Sequence, residues 1–192
     1  MKLGLDALLD AKLRRQASGG LESVLANRIF GGSGQKNKNL FFNSKGETVT
    51  NIGVTVTWDA ENQEFIFNGT TTAAGDLKLV NPLELDWISG DKYTISVRQV
   101  GGTATLADGT GGTTYGWGIF QDNVAKYIRG STGLTSFVPV YSFTATAFEL
   151  DANRSYVFYF QCWRPGTVFE NYRVRVQIEH GTEVTDWVPH RA

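Results

Sequence analysis

Eight residues near the C-terminus, Tyr172–Glu179, constrain the fold more than any other stretch. Tyr172, Val174, Val176 and Ile178 alternate with Arg173, Arg175, Gln177 and Glu179. Extended backbone sends successive side chains to opposite faces, so a strict period of two predicts a strand with one buried and one polar side. The run breaks at His180-Gly181-Thr182 and closes on Asp186-Trp187-Val188-Pro189. A strand so patterned has to pair within a sheet built from earlier segments, and its apolar side marks the core.

Those earlier segments are present. From Asn39 onward short runs rich in Thr, Val, Phe and Tyr alternate with Gly, Asn and Asp, the texture of an all-β domain. Strands are predicted at Leu40–Asn43, Gly53–Trp58, Glu64–Thr70, Asp76–Val80, Lys92–Val100, Tyr115–Gln121, Lys126–Arg129, Ser142–Ala147, Ser155–Trp163 and Tyr172–Glu179. Asp59–Gln63 and Asp122-Asn123 carry turn residues, which makes 53–58/64–70 and 115–121/126–129 hairpin candidates. No helical crossovers intervene, so about ten short strands point to a two-sheet sandwich. Gly101–Thr114 reads as a long Gly/Thr loop, either functional or disordered.

The first 38 residues differ. Leu5, Leu8, Leu9 and Leu13, then Leu21, Val24 and Leu25, recur at helical steps, and Gly31–Lys38 is a linker by composition. The expected organisation is a helical arm at 1–30, a Gly-rich linker at 31–38 and a β-domain at 39–192. Each helix is too short to persist alone in water, so it needs the sandwich or other copies to pack on. The arm holds seven basic and three acidic residues, within a chain of net charge −1 that gives no general case for nucleic acid or membrane binding. The opening apolar run is interrupted by Asp6 and Asp10, so no secretory leader is expected.

Several pieces, taken in order, resemble the carbohydrate-binding-module-like jelly-roll domains of bacteriophage tail, baseplate and fibre proteins. They are Asn39-Leu40-Phe41, Gly53-Val54-Thr55-Val56-Thr57, Phe65 through Thr71, Ser89-Gly90-Asp91-Lys92-Tyr93-Thr94-Ile95-Ser96, and Gln177 through Gly181 with Thr185–Pro189 behind. The resemblance covers about residues 39–192. It implies a mainly β jelly-roll sandwich on a virion assembled in the bacterial cytoplasm, contacting a host-surface glycan. The arm is then expected to join other virion proteins and to build a homo-oligomer, a trimer by preference. The alternative is a decoration or appendage protein making only protein contacts.

Chemistry is sparse. His180 and His190 have no nucleophile beside them, Cys162 is the single cysteine, and the acids form no recognisable dyad, so no enzyme, cofactor or metal site is expected. Asp59, Glu61 and Asn62 have oxygen ligands that suit calcium, but a plain hydrophilic turn is the simpler expectation. Sugar recognition needs flat aromatic faces and planar polar groups. On Ser155–Trp163, Tyr156, Phe158, Phe160 and Cys162 take one face, while Tyr159, Gln161 and Trp163 take the other. The second set is expected to join Arg173, Arg175 and Gln177 as an aromatic-polar ligand surface. Tyr115 and Trp117, opposite Gly116 and Gly118, form a second candidate. The same aromatics also suit a core or a subunit interface.

Overall fold

The computed structural model describes residues 39–83, 91–107, 115–121, 126–134, 140–146 and 155–190. The expected arm, with Leu5, Leu8, Leu9, Leu13, Leu21, Val24 and Leu25, and the linker lie outside them. So do Trp87 and the Asp122-Asn123 turn. Among the described residues the protein is mainly β, with no helix. The strands are β1 (Val49–Asn51), β2 (Val54–Asp59), β3 (Glu64–Thr70), β4 (Gly75–Val80), β5 (Lys92–Thr105), β6 (Tyr115–Gln121), β7 (Lys126–Leu134), β8 (Val140–Thr146), β9 (Tyr156–Cys162) and β10 (Val168–His180).

They form two antiparallel sheets, one of six strands in the order β1-β2-β3-β10-β5-β8 and one of four in the order β4-β9-β6-β7. From β3 onward the chain alternates between sheets except at β6–β7, which stay in the smaller one, and the strands pair antiparallel: β3 with β10, β5 with β8, β4 with β9, and β6 with β7. The closing strand therefore sits in the middle of the larger sheet, as its alternation demands. Tyr172, Val174, Val176 and Ile178 are buried, together with Phe65 and Phe67 of β3 and Tyr93, Ile95 and Val97 of β5. Facing them from the smaller sheet are Trp117, Ile119, Phe158 and Phe160. Ring contacts join the two layers: Phe67 lies 5.3 Å from Phe160 and 5.8 Å from Trp117, both edge-on. Edge-on packing suits the quadrupoles of aromatic rings and fills the space between the layers.

Against the sequence expectation, β1 is an added strand, β7 runs on to Leu134 and β8 spans Val140–Thr146; three further differences have identifiable reasons. β5 continues through Thr105, so Gly101–Thr105 of the expected Gly/Thr loop is strand, Leu106 and Ala107 leave it, and 108–114 lie outside the described residues. Gly102, at φ 65°, lies against the Asn171 carbonyl, where an added Cβ would come to 1.8 Å of the oxygen. Asn171 itself has φ 49°, and the β5–β10 register shifts here. The bulge lets β10 begin at Val168 and turns both Phe169 and Tyr172 inward, which breaks the simple alternation. Leu40–Asn43, expected as a strand, is not one. Instead Asn39 continues the sheet beside β10, its side chain accepting from the Ile178 amide (3.1 Å) and donating to the Val176 carbonyl (3.1 Å). The Asp59–Gln63 turn forms as expected. Asp59 accepts from the Glu61 and Asn62 amides (3.1 Å each) and from the Asn62 side chain (2.8 Å). Those bonds, the Asn62 side chain first, hold its carboxyl below the ordinary value of 3.8.

Candidate functional site

β9 ends at Cys162, and the next four residues cross one rim of the molecule. Pro165 followed by Gly166 at φ 88° meets the requirement of a type II turn: a fixed φ, then a left-handed residue. The turn is locked to the β3–β4 connection. Thr71, 2% exposed, donates its amide to the Thr167 carbonyl (2.9 Å) and its hydroxyl to the Arg164 carbonyl (2.6 Å). Its hydroxyl also accepts from the Thr167 amide (2.9 Å), and Gly166 donates to the Thr71 carbonyl (2.6 Å). Arg164 reaches across to the Ala107 carbonyl at 3.2 Å, tying in the end of β5.

This lattice presents Trp163. The indole is 48% exposed, whereas Trp117 is buried, Trp58 packs on Phe41 and Phe65, and Trp187 covers Arg175. An apolar side chain half-exposed on a backbone pinned by Thr71, Arg164 and Thr167 offers a stacking surface whose backbone is already ordered, which lowers the ordering cost of binding.

The polar side of β10 has a different fate. Gln177, fully buried, donates to the Thr185 hydroxyl (3.2 Å) and the Asp186 carbonyl (3.3 Å), and accepts from the Val188 amide (2.8 Å). Glu179 accepts from the Thr185 amide at 3.2 Å and from its hydroxyl. Trp187 lies over the Arg175 guanidinium, 4.3 Å from ring centre to Cζ. The tail then reaches the first described residues. His190 and Gln63 exchange hydrogen bonds (2.8 and 3.1 Å), and the His190 ring stacks on Phe42 at 4.9 Å. Beneath, Glu64 is almost buried and carries Arg175 at 2.7 Å and Arg173 at 3.7 Å. The other histidine, His180, pairs with Asp91 at 2.7 Å.

The expected ligand surface is therefore divided. Tyr159, Gln161 and Trp163 belong to β9 and its end, in the smaller sheet, and Arg173, Arg175 and Gln177 to β10, in the larger. Their non-core faces point away from one another, so one ligand cannot span both sets. Tyr115 and Trp117 are core residues, 1% exposed each, because their side of β6 faces the larger sheet. Tyr159 and Gln161 are buried as well. Arg175 and Gln177 are taken by the tail. Trp163 remains open, and Arg173 is part-exposed but held by Glu64 and Asn171. Thr71, Thr167, Arg98, Glu64 and Thr185 were not expected to take part. The Pro165-Gly166 pair was a readable turn signal, but the long-range partners left none.

No protein-family model matches the sequence, and no curated protein matches it either. Among solved structures, a xylanase carbohydrate-binding module (BiXyn10A CBM1, apo form) is similar at 14% identity and TM-score 0.41, over 77% of this chain and all of that one. A cyclase from Fischerella sp. TAU, in complex with 4-(1H-indol-3-yl)butan-2-one, is similar at 13% identity and TM-score 0.29, over 77% of this chain and 74% of that one. Similarity this distant assigns neither a ligand nor a reaction.

Proposed function

We propose that residues 39–192 form a jelly-roll sandwich that binds carbohydrate through Trp163, displayed on a bacteriophage appendage and attached through the N-terminal arm. The jelly-roll assignment is supported by the nested pairing of β3 with β10, β4 with β9, β5 with β8 and β6 with β7, the order left when one antiparallel ribbon is rolled up. The observation that carries the binding role is the exposed Trp163 on its locked turn. Covering one indole face removes roughly 80 Å² of apolar surface, about 2 kcal/mol and more than tenfold in affinity. Glycan-array binding followed by calorimetry on the best hit tests this. Trp163→Ala should lose at least tenfold affinity with an unchanged melting temperature; equal binding by the variant defeats the proposal.

Burial in the core withdraws Tyr115 and Trp117 from any partner, and the second possibility is a decoration protein that makes only protein contacts. Failure of the wild-type chain to retain any glycan would select it. The virion setting and the arm-mediated trimer rest on the sequence resemblance and the leucine spacing. Deleting residues 1–34 should reduce the mass in light scattering to that of one chain; an unchanged mass removes the arm from assembly.

A further inference from the structure

The outer face of the larger sheet holds an unusual pair. Arg98 of β5 and Arg175 of β10 are direct cross-strand partners, and like charges placed so repel one another. Among the described residues the acid in salt-bridge range of these arginines is Glu64, which serves Arg175 and Arg173. Arg98 instead donates to a neutral acceptor, the Thr185 backbone carbonyl of the tail (2.5 Å). Glu179 is occupied by Thr185. Three buried N–H donors on these residues have no acceptor among the described residues: Nε of Arg98, Nε of Arg175 and Nε1 of Trp187. The Ser96 hydroxyl, on the outer face next to Gln177 in register, is buried and also lacks a partner. A region rich in unmatched donors, where Arg98, Arg173 and Arg175 share the face with the two carboxylates Glu64 and Glu179, suits an oxyanion, because guanidinium groups bind carboxylate and sulfate oxygens in charge-assisted pairs.

We propose that Arg98 and Arg175 form an oxyanion site which the C-terminal tail, residues 183–190, covers, and that anion and tail compete for it. The tail satisfies Arg98 with one carbonyl, whereas a sulfate or carboxylate supplies charge and several acceptors. By linkage, whatever loosens the tail strengthens the anion's binding, and the anion in turn loosens the tail. This site lies on the opposite sheet from Trp163 and does not depend on glycan stacking there.

The test uses the full chain and two probes: inorganic sulfate alone, and a sulfated polysaccharide such as heparin. The tail is weakened by Thr185→Ala with Val188→Pro, which removes the Thr185 hydroxyl donor to Glu179 and the Val188 amide donor to Gln177, and leaves the Thr185 amide bond to Glu179 and both arginines intact. Calorimetric affinity for at least one probe should rise about tenfold, the equivalent of one or two lost tail bonds. Arg98→Gln should abolish that binding, and Trp163→Ala should leave it unchanged. Response to sulfate alone shows that the free oxyanion suffices; response to heparin alone assigns the anion to a polysaccharide. In the unmutated chain, whichever probe binds should speed hydrogen exchange at the Thr185 and Val188 amides, a measurement independent of the folding of the tail variant. The proposal is overturned if neither probe binds, if binding survives Arg98→Gln, or if the probe leaves tail exchange unchanged.

Discussion

Replacing Gln177 by alanine should unfasten the tail while sparing the core. The Gln177 amide accepts from Val188 at 2.8 Å and donates to Thr185 and Asp186 at 3.2 and 3.3 Å, all from a fully buried position. Two of these bonds are worth about 1 kcal/mol each, and leaving the Val188 amide half-buried without a partner costs about 1 kcal/mol more. The expected loss is therefore about 3 kcal/mol, a drop of roughly 6–12 °C in melting temperature for a domain of this size. Thermal unfolding followed by near-ultraviolet circular dichroism gives the loss, and hydrogen exchange gives its location. Protection should fall at Val188 and Thr185 while Val174 and Ile95 keep theirs. A melting temperature within 1 °C of wild type, with tail protection intact, refutes the view that Gln177 fastens the tail.

Further outcomes follow from the same contacts. Glu64→Gln removes the carboxylate shared by Arg173 and Arg175 and should cost about 1.5–3 kcal/mol in urea unfolding, most of it suppressed in a variant that also lacks Arg175. Gly102→Ala forces a side chain against the Asn171 carbonyl in left-handed backbone and should cost at least about 2 kcal/mol. Asp59 has a folded-state carboxyl below its ordinary value of 3.8, so its stabilising effect is complete above that value and is lost as pH falls through the lower folded one. Asp59→Asn should flatten that part of the acid unfolding curve. Tyr172 is shifted upward by burial and then by Tyr115, so its contribution is complete below 10.0 and is lost as pH rises beyond it. Tyr172→Phe should weaken the alkaline decline in melting temperature.

Much of the fold was legible because it is local. The alternation in Tyr172–Glu179 and in Tyr156–Cys162 named the face of each strand that turns to the other sheet, although Tyr159, Gln161, Gln177 and Glu179 on the opposite faces are buried as well, and Glu64–Thr70 and Tyr115–Gln121 were readable to the residue. The bulge at Gly102 and Asn171 was hidden because it inverts the alternation between Phe169 and Tyr172, although Gly101-Gly102 inside a Thr-rich run is a bulge signal. The candidate site was harder to read. Alternation says which residues share a strand face but not which sheet a strand joins, and the proposed union of Tyr159 with Arg175 failed on that point. The partners of Gln177 lie eight to eleven residues downstream in a segment without periodicity. Nothing in a period of two reveals that a tail will fold back over the polar face. Trp163 stood out in sequence only as one aromatic among several; the Thr71–Thr167 lattice is what separates it from the rest.

Carbohydrate binding through Trp163 is tested most directly by titrating the full chain, and its Trp163→Ala variant, with the glycans retained on an array, by isothermal calorimetry at matched melting temperature. The expected result is saturable binding by the wild-type chain and at least a tenfold loss in the variant. Equal affinities in the two proteins, or no retained glycan at all, would contradict it.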